Sequence, residues 1–401
     1  MLLRSIQRFV RLVPGPARAV WRRIPGPARR LLEPLVYPVA AGARAGGFVL
    51  GVPSALPRRR YAVVCAAGAL PKGEMPPALE ALGLSGHPVL TLAPDEDPAL
   101  LRDREAIPDA VYVPTGAEDP ARTAAVARLG WRRVSRTTLA STGDLEAAFP
   151  KVTIIVVTYA NRELCAGCLS ALERNTPWPA LEILVVDNGS RDGSAEMLAL
   201  VAAKDPRVRV VTNAENLGFA RATNQGLRLA TGEFVVLLND DTAVGPGWLS
   251  RLIAHLEAEP RLGLVCPATN EIGNDAKIPV TYSTFQGMES FALERGVRFA
   301  GQRRPVETMA LFCAAARAST LTGAGLLDER YEVGMFEDDD LSLTLRRAGH
   351  ELGIALDAFV HHVGCASFAR LTDAKYLEIW EENRRRYEAK WQVRWRPPAR
   401  G

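Results

Sequence analysis

Phe234-Val235-Val236-Leu237-Leu238-Asn239-Asp240-Asp241-Thr242 is a run of apolar residues that stops at two carboxylates, and the rest of the chain is read outward from it. Val and Leu without polar alternation indicate a strand covered on both faces, as in parallel sheets flanked by helices. In such sheets ligands sit beyond the carboxyl ends of the strands. Asp240 and Asp241 are therefore expected to open into a cleft. Paired hard oxygens there suit a divalent cation that keeps waters and also holds phosphate oxygens.

Upstream, strands and helices alternate. Val152 to Tyr159 reads as a buried strand, Arg162 to Asn175 as its amphipathic helix, and Leu181 to Asp187 as the next strand, ending in the turn Asn188-Gly189-Ser190. Asp192 and Ser194 can start a helix to about Lys204, followed by a strand over Val208 to Thr212 and a helix over Phe219 to Ala230. The order βαβαβαβ predicts an α/β fold with a doubly wound, mostly parallel sheet. Three strand ends converge on one rim: Thr158-Tyr159, Asp187 and Asp240-Asp241.

The chain of 401 residues, 48% of them apolar, can bury two cores. Its net charge of +4 hides an asymmetry: residues 1–60 hold twelve Arg and one acid, Glu33, leaving 37 basic against 44 acidic residues elsewhere. No nucleic-acid partner is expected. In this basic arm Pro14-Gly15-Pro16-Ala17-Arg18 returns as Pro25-Gly26-Pro27-Ala28-Arg29, and apolar residues interleave with Arg. It reads either as a segment lying on an anionic membrane surface or as a basic tail without fixed structure. Leu35 to Leu56 is not expected to span a membrane, because Arg44 costs about 2.5 to 3.5 kcal/mol against about −2.4 to −4.8 for its Leu, Val and Phe, before Pro38, Pro53 and the glycines.

Residues 61–149 read as a small Rossmann-like α/β unit and linker, with strands at Tyr61 to Ala66, Gly86 to Leu92 and Ala110 to Val113 and a helix over Ala78 to Leu84. The third unit spans 150–396. Six cysteines (Cys65, Cys165, Cys168, Cys266, Cys313, Cys365) form no framework of the secreted type, so a cytoplasmic protein is expected. Cys165-Ala166-Gly167-Cys168 has redox or zinc spacing, yet it sits in a helical pattern with Leu164, Leu169 and Leu172 and reads as packing.

Four blocks carry a resemblance: Val157-Thr158-Tyr159; Val185-Val186-Asp187-Asn188-Gly189-Ser190; Asn216-Leu217-Gly218-Phe219-Ala220 with Asn224 and Gly226; and Leu237-Leu238-Asn239-Asp240-Asp241-Thr242. Their order and spacing resemble the family 2 glycosyltransferases of the GT-A fold, most of all the branch containing bacterial rhamnosyl- and galactofuranosyltransferases. Further on, Leu321 to Glu329, Phe336-Glu337-Asp338-Asp339-Asp340-Leu341 and His361-His362-Val363-Gly364-Cys365-Ala366-Ser367 resemble that family's acceptor-side and histidine motifs.

The resemblance implies an inverting, metal-dependent transferase. It would move a sugar from a nucleotide-diphosphate donor to a hydroxyl of a bacterial cell-surface glycan or lipid-linked acceptor, on the inner face of the cell membrane. It implies that Thr158, Tyr159, Asp187, Asn216, Gly218, Asn224 and Asp240 bind the nucleotide sugar. Asp241 and His362 would hold Mg or Mn, Asp338 would act as general base with Asp339 as its rival, and Glu337 and Gly325 would meet the acceptor. Taken alone, Asp187 also reads as a turn cap, and Asn216 with Gly218 as a helix N-cap and turn. Asn239 stands where the family's metal motif has Asp. Two other functions stay open: a nucleotidyltransferase on a similar sheet, against which the lack of a Gly- and Lys-rich loop at Thr158-Tyr159-Ala160-Asn161-Arg162 argues, and an inactive glycan-binding scaffold.

Overall fold

The computed structural model describes residues 62–66, 89–92, 98, 109–114, 120–134, 149–364 and 373–396. The basic arm, the Ala78 to Leu84 helix, Cys365 and Ser367 lie outside them. Strands β1 (Ala62–Ala66), β2 (Val89–Leu92), β3 (Ala110–Val113) and β4 (Arg132–Arg133) form a parallel sheet in the order β2-β1-β3-β4.

The larger sheet is built on β5 (Val152–Thr158), β6 (Leu181–Asp187), β7 (Val208–Thr212) and β8 (Phe234–Asn239), all parallel to one another. Ile154, Ile155, Val156, Val185 and Val236 are all buried although they alternate in direction, because helices cover both faces. Register places Thr158 beside Asp187 and Val157 beside Asn239, so the three expected strand ends do lie at one edge.

Beyond β8 the sheet changes character. Strand β9 (Thr242–Val244) leaves it, while β10 (Leu262–Ala268), β11 (Arg303–Pro305), β12 (Cys313–Arg317) and β13 (Glu351–His362) complete the order β11-β13-β10-β12-β8-β5-β6-β7. Strand β12 runs antiparallel to both β8 and β10, and β11 antiparallel to β13. The sheet is thus α/β but mixed, with the parallel doubly wound pattern confined to 152–239. Strand β13 serves two partners: its first half lies parallel to β10, and its end pairs antiparallel with β9, setting His362 opposite Thr242.

The small sheet meets the large one at helix Trp248–Ala258: Ser250 Oγ donates to Asp109, and Arg132 pairs with Glu257 at 2.5 Å. Among the described residues no helix is long and apolar enough to cross a membrane.

Close packing under the site edge gives one direct expectation. Gly226, on helix Phe219–Leu229, leaves room for Ile155, whose Cγ2 lies 2.5 Å from where a Cβ would stand. Gly226→Ala overpacks this contact and is expected to destabilise the fold by about 1–3 kcal/mol, read as a lower denaturant midpoint at unchanged slope.

Candidate active site

Carboxylates at the sheet edge divide into those the protein consumes and those it leaves available. Asp240 is consumed: Thr158 Oγ1 donates to its Oδ2 at 2.6 Å and Asn161 Nδ2 to its Oδ1 at 3.3 Å, all three residues being buried. The expectation that Thr158 and Asp240 meet the donor is joined by a bracing role within the chain. They brace the exit of β8 against that of β5, since a buried carboxylate is tolerated only when hydrogen-bonded. Tyr159, the next residue, is exposed at the rim.

Asp187 does two things at once. Its Oδ1 accepts from Ser190 N at 3.0 Å, the turn cap read as an alternative from sequence, while its Oδ2 is buried and has no hydrogen-bond partner among the described residues. An acceptor left unmade in a site this buried calls for a donor from outside the chain.

The wall beside it is an asparagine network that the sequence reading missed. Asn188 donates to Asn216 Oδ1 at 2.8 Å and accepts from Asn213 and from Leu217 N, both at 3.0 Å. Gly189 (φ 82°) permits the close approach, because a Cβ there would lie 2.6 Å from the Glu215 backbone. Asn216 also accepts from Gly218 N at 2.9 Å, so its side chain closes a turn. The first amide of helix Phe219–Leu229 donates to Val333 O at 3.4 Å, and Val333 N sits 3.1 Å from a Cβ at Gly218. That helix start is thus covered by chain from the second half. Asn224 has partners within the chain: its buried amide pairs with the Leu327 backbone at 2.8 and 3.0 Å and with Glu329 at 2.9 Å. It ties helix to loop.

Pairing of β9 with β13 brings Asp241 to His362. Their Oδ1 and Nε2 atoms are 3.2 Å apart and both residues are buried. His362 Nδ1 lies 2.7 Å from Glu271 O, and because a carbonyl only accepts, Nδ1 holds the proton and Nε2 faces Asp241. Asn270 fixes the backbone of His362 from both sides, accepting from its N at 2.8 Å and donating to its O at 3.0 Å. Burial alone would lower the proton affinity of His362, but the Asp241 carboxylate outweighs it and holds the imidazole above its ordinary range. His361 points to the other face, where Tyr282 OH meets its Nδ1 at 2.6 Å; burial and then His362 push it down to about 4.

One carboxylate and one oriented imidazole suit a divalent cation whose other positions are filled by phosphate and water. Among the described residues no group of three or more His, Cys, Asp or Glu could hold a metal by itself. The residues present fit a cation carried in with a diphosphate.

Segment Met309–Phe312 leads from this pair to the acidic run. Phe312 stacks on His362 with centroids 5.2 Å apart, and Met309 N donates to Ser342 Oγ at 3.0 Å on helix Glu337–Arg347. Burial, and next the charge of Asp338, pushes Glu337 up to about 8, and its Oε2 has no hydrogen-bond partner. Burial and Asp338 likewise push Asp339 up to about 7, and burial raises Asp338. Desolvation, more than crowding of like charge, is therefore what brings these carboxyls towards neutral pH.

Asp340 is spoken for by Lys390 Nζ and Trp391 Nε1 (both 2.7 Å) and Tyr331 OH (3.1 Å). Gly325 (φ 86°) lies in an open turn with nothing within 4 Å of where a Cβ would stand, just before Leu326 and the Asn224 contact.

A stability consequence follows from Glu337. The folded chain keeps a proton on it at pH values where an unfolded carboxyl, near 4.5, has lost it. That contribution is complete below about pH 4.5 and disappears as pH rises through about 8. Thermal melts are expected to show a falling midpoint from pH 5 to 8.5, worth on the order of 3 kcal/mol, and Glu337→Gln should flatten that slope.

Residues 153–318 match the family model described as Glycosyl transferase family 2. An N-acetylglucosaminyl-diphospho-decaprenol L-rhamnosyltransferase of Mycobacterium tuberculosis (strain ATCC 25618 / H37Rv) is 26% identical over 226 residues, 49% of this chain and 70% of that one. An uncharacterized glycosyltransferase of Haemophilus influenzae is 29% identical over 108 residues, 27% of this chain and 33% of its own length, so the match spans only a third of that relative. Among solved structures, the mannosyltransferase PcManGT from Pyrobaculum calidifontis, in complex with GDP-Man and Mn2+, aligns over 54% of this chain and 57% of its own at 23% identity and a TM-score of 0.42.

Proposed function

We propose that this chain, with its glycosyl transferase family 2 match at residues 153–318, is an inverting glycosyltransferase that uses a nucleotide-diphosphate sugar and a divalent cation. The observation that carries the reading is the Asp241–His362 pair, oriented by Glu271 O and Asn270, at the same sheet edge as the unsatisfied Asp187 Oδ2. A catalytically inactive scaffold has no need of a preorganised pair of this kind.

In this reading Asp187 Oδ2 accepts from the base or ribose of the donor, with Tyr159 at the rim beside it. Asp241 and His362 would hold Mg or Mn, which supplies charge compensation for the departing diphosphate when bound. Asp338 takes the proton from the acceptor hydroxyl as that oxygen attacks opposite the leaving group, which inverts the anomeric carbon. Glu337, protonated near neutral pH, is placed to donate a hydrogen bond to the acceptor, with Gly325 in the open turn nearby. The acceptor is a glycan or lipid-linked hydroxyl, and the basic residues 1–60 would bring the enzyme to the inner face of a membrane, with 61–149 as a separate α/β unit.

The test is a panel of UDP-, GDP- and dTDP-sugars incubated with the full-length protein and Mg or Mn, scored by release of nucleoside diphosphate and by transfer to lipid-linked saccharides. Turnover of at least one donor is expected. Inertness towards the whole panel overturns the reading.

A further inference from the structure

The turn that delivers the acidic run is one the chain would not adopt unaided. Val333 (φ 69°), Gly334 (φ 147°), Met335 (φ 77°) and Phe336 (φ 73°) are consecutive, and three of them carry a Cβ in the left-handed region. Such a backbone persists only where its surroundings over-determine it. The surroundings here come from helix Asp373–Trp391 and the residues after it.

Asn383 on that helix is buried, and its side-chain Nδ2 lies 2.9 Å from Gly334 O, 3.2 Å from Met335 O and 3.4 Å from Glu332 O. One amide thereby meets the Gly334 and Met335 carbonyls and also reaches Glu332 O, which accepts from Gly334 N at 2.8 Å within the turn. The Phe336 ring is enclosed by Trp380, Tyr387 and Trp395, with centroids 5.4 to 5.9 Å away. These rings form an apolar cluster separate from the main core, so the helix packs on the turn and the acidic run. Trp395 Nε1 then donates to Asp339 Oδ1 at 3.2 Å, whereas Asp338 accepts at its Oδ1 from the neighbouring Asp339 N at 2.9 Å and otherwise meets its own backbone and the Asp339 side chain.

We infer that Asn383 and Trp395 are positioning residues for the acidic run: Asn383 holds the left-handed turn that aims it, and Trp395 occupies Asp339 so that Asp338 is the carboxylate presented to a hydroxyl. The second half of this statement rests on the glycosyl-transfer reading; the first does not. Groups facing Asp339 are Glu337, Asp338 and Asp340 on its own helix, and Tyr387, Lys390 and Trp395 from the C-terminal segment, with Asp328 and Tyr331 reaching it through Lys390 and Asp340. A hydrogen bond to the ionised form of Asp339 opposes the effects of burial and Asp338, so losing it makes Asp339 hold its proton to higher pH.

The test uses full-length Asn383→Ala, Asn383→Asp and Trp395→Phe, the last keeping the aromatic contacts while removing the N–H. Hydrogen exchange is expected to quicken by about tenfold or more at residues 328–340 in Asn383→Ala, and further in the isosteric Asn383→Asp, whose carboxylate faces three carbonyls. Exchange at 152–187 and 234–244 should stay as in the parent. In the parent, the Trp395 indole 15N resonance, assigned by its loss in Trp395→Phe, should titrate with a midpoint of about 7. Trp395→Phe should leave the acid limb of the transfer rate in place or move it to lower pH, since an Asp339 that keeps its proton puts less charge beside Asp338, and should not change the KM for donor; a shift to higher pH would mark Asp339 as the base. A uniform rise in exchange over the whole chain, or none at 328–340, overturns the role of Asn383. An indole resonance flat from pH 5 to 9 overturns that of Trp395. Absence of transfer in the parent as well would instead count against the glycosyl-transfer reading, since exchange and indole titration are read without turnover.

Discussion

Asn in place of Asp338 is expected to lower sugar transfer by roughly 10²- to 10⁴-fold while nucleotide-sugar binding barely changes. The substitution keeps the shape at the start of helix Glu337–Arg347 and removes only the proton acceptor. In the proposed function the donor-binding groups lie elsewhere, at the ends of β6 and β8, which is why affinity should survive. Asp339 is the control: it is tied to Trp395 and, by burial and the charge of Asp338, pushed up to about 7. Asp339→Asn should therefore cost much less. The opposite ranking, with Asp339→Asn inactive and Asp338→Asn active at intact donor affinity, would make Asp339 the base. Single-turnover rates with calorimetric donor binding on both variants decide between them.

Asp241→Asn is expected to act on binding as well as on rate. It leaves His362 Nε2 facing a neutral amide, so the site loses the charge that a divalent cation needs. Displacing Asn270, which only fixes the His362 backbone, is a milder change of the kind that costs roughly 10- to 100-fold in metal affinity. Asp241→Asn should exceed that loss and abolish the dependence of UDP or GDP binding on added Mn. Chelation of the parent enzyme should stop turnover. Full activity in excess chelator, or metal-dependent nucleotide binding unchanged in Asp241→Asn, would remove the cation from the proposal.

What the sequence disclosed follows from which signals are local. Strands β5, β6 and β8 are mostly apolar runs, broken only by Thr153 and Glu182 near their starts and ending in Thr, Asp or Asn, and their α/β order and common edge could be read directly. Strand β12, Cys313-Ala314-Ala315-Ala316-Arg317, could not, because alanine favours helix and only the neighbouring strands β8 and β10 make this segment extended. The mixed half of the sheet was hidden for that reason.

At the site, chemistry-bearing residue types were legible but their availability was not. Thr158, Asp240 and Asn224 look like ligand-binding residues in sequence, and each also has hydrogen-bond partners 79 to 105 residues away that no local signal discloses. Asn188, Asn270 and Asn383 gave no signal, since a buried brace and a surface asparagine are spelled alike.

The position of β13 bears on how the chain can be cut. The family match ends at residue 318, but β13, at 351–362, is hydrogen-bonded between β10 and β11, both of which precede that boundary. A fragment trimmed to the matched region would keep the two outer strands and lose the one between them. It would present a long unpaired edge on β10, a template for pairing with other copies. Such a fragment should collect in the insoluble fraction, and the shortest piece worth expressing has to run past His362.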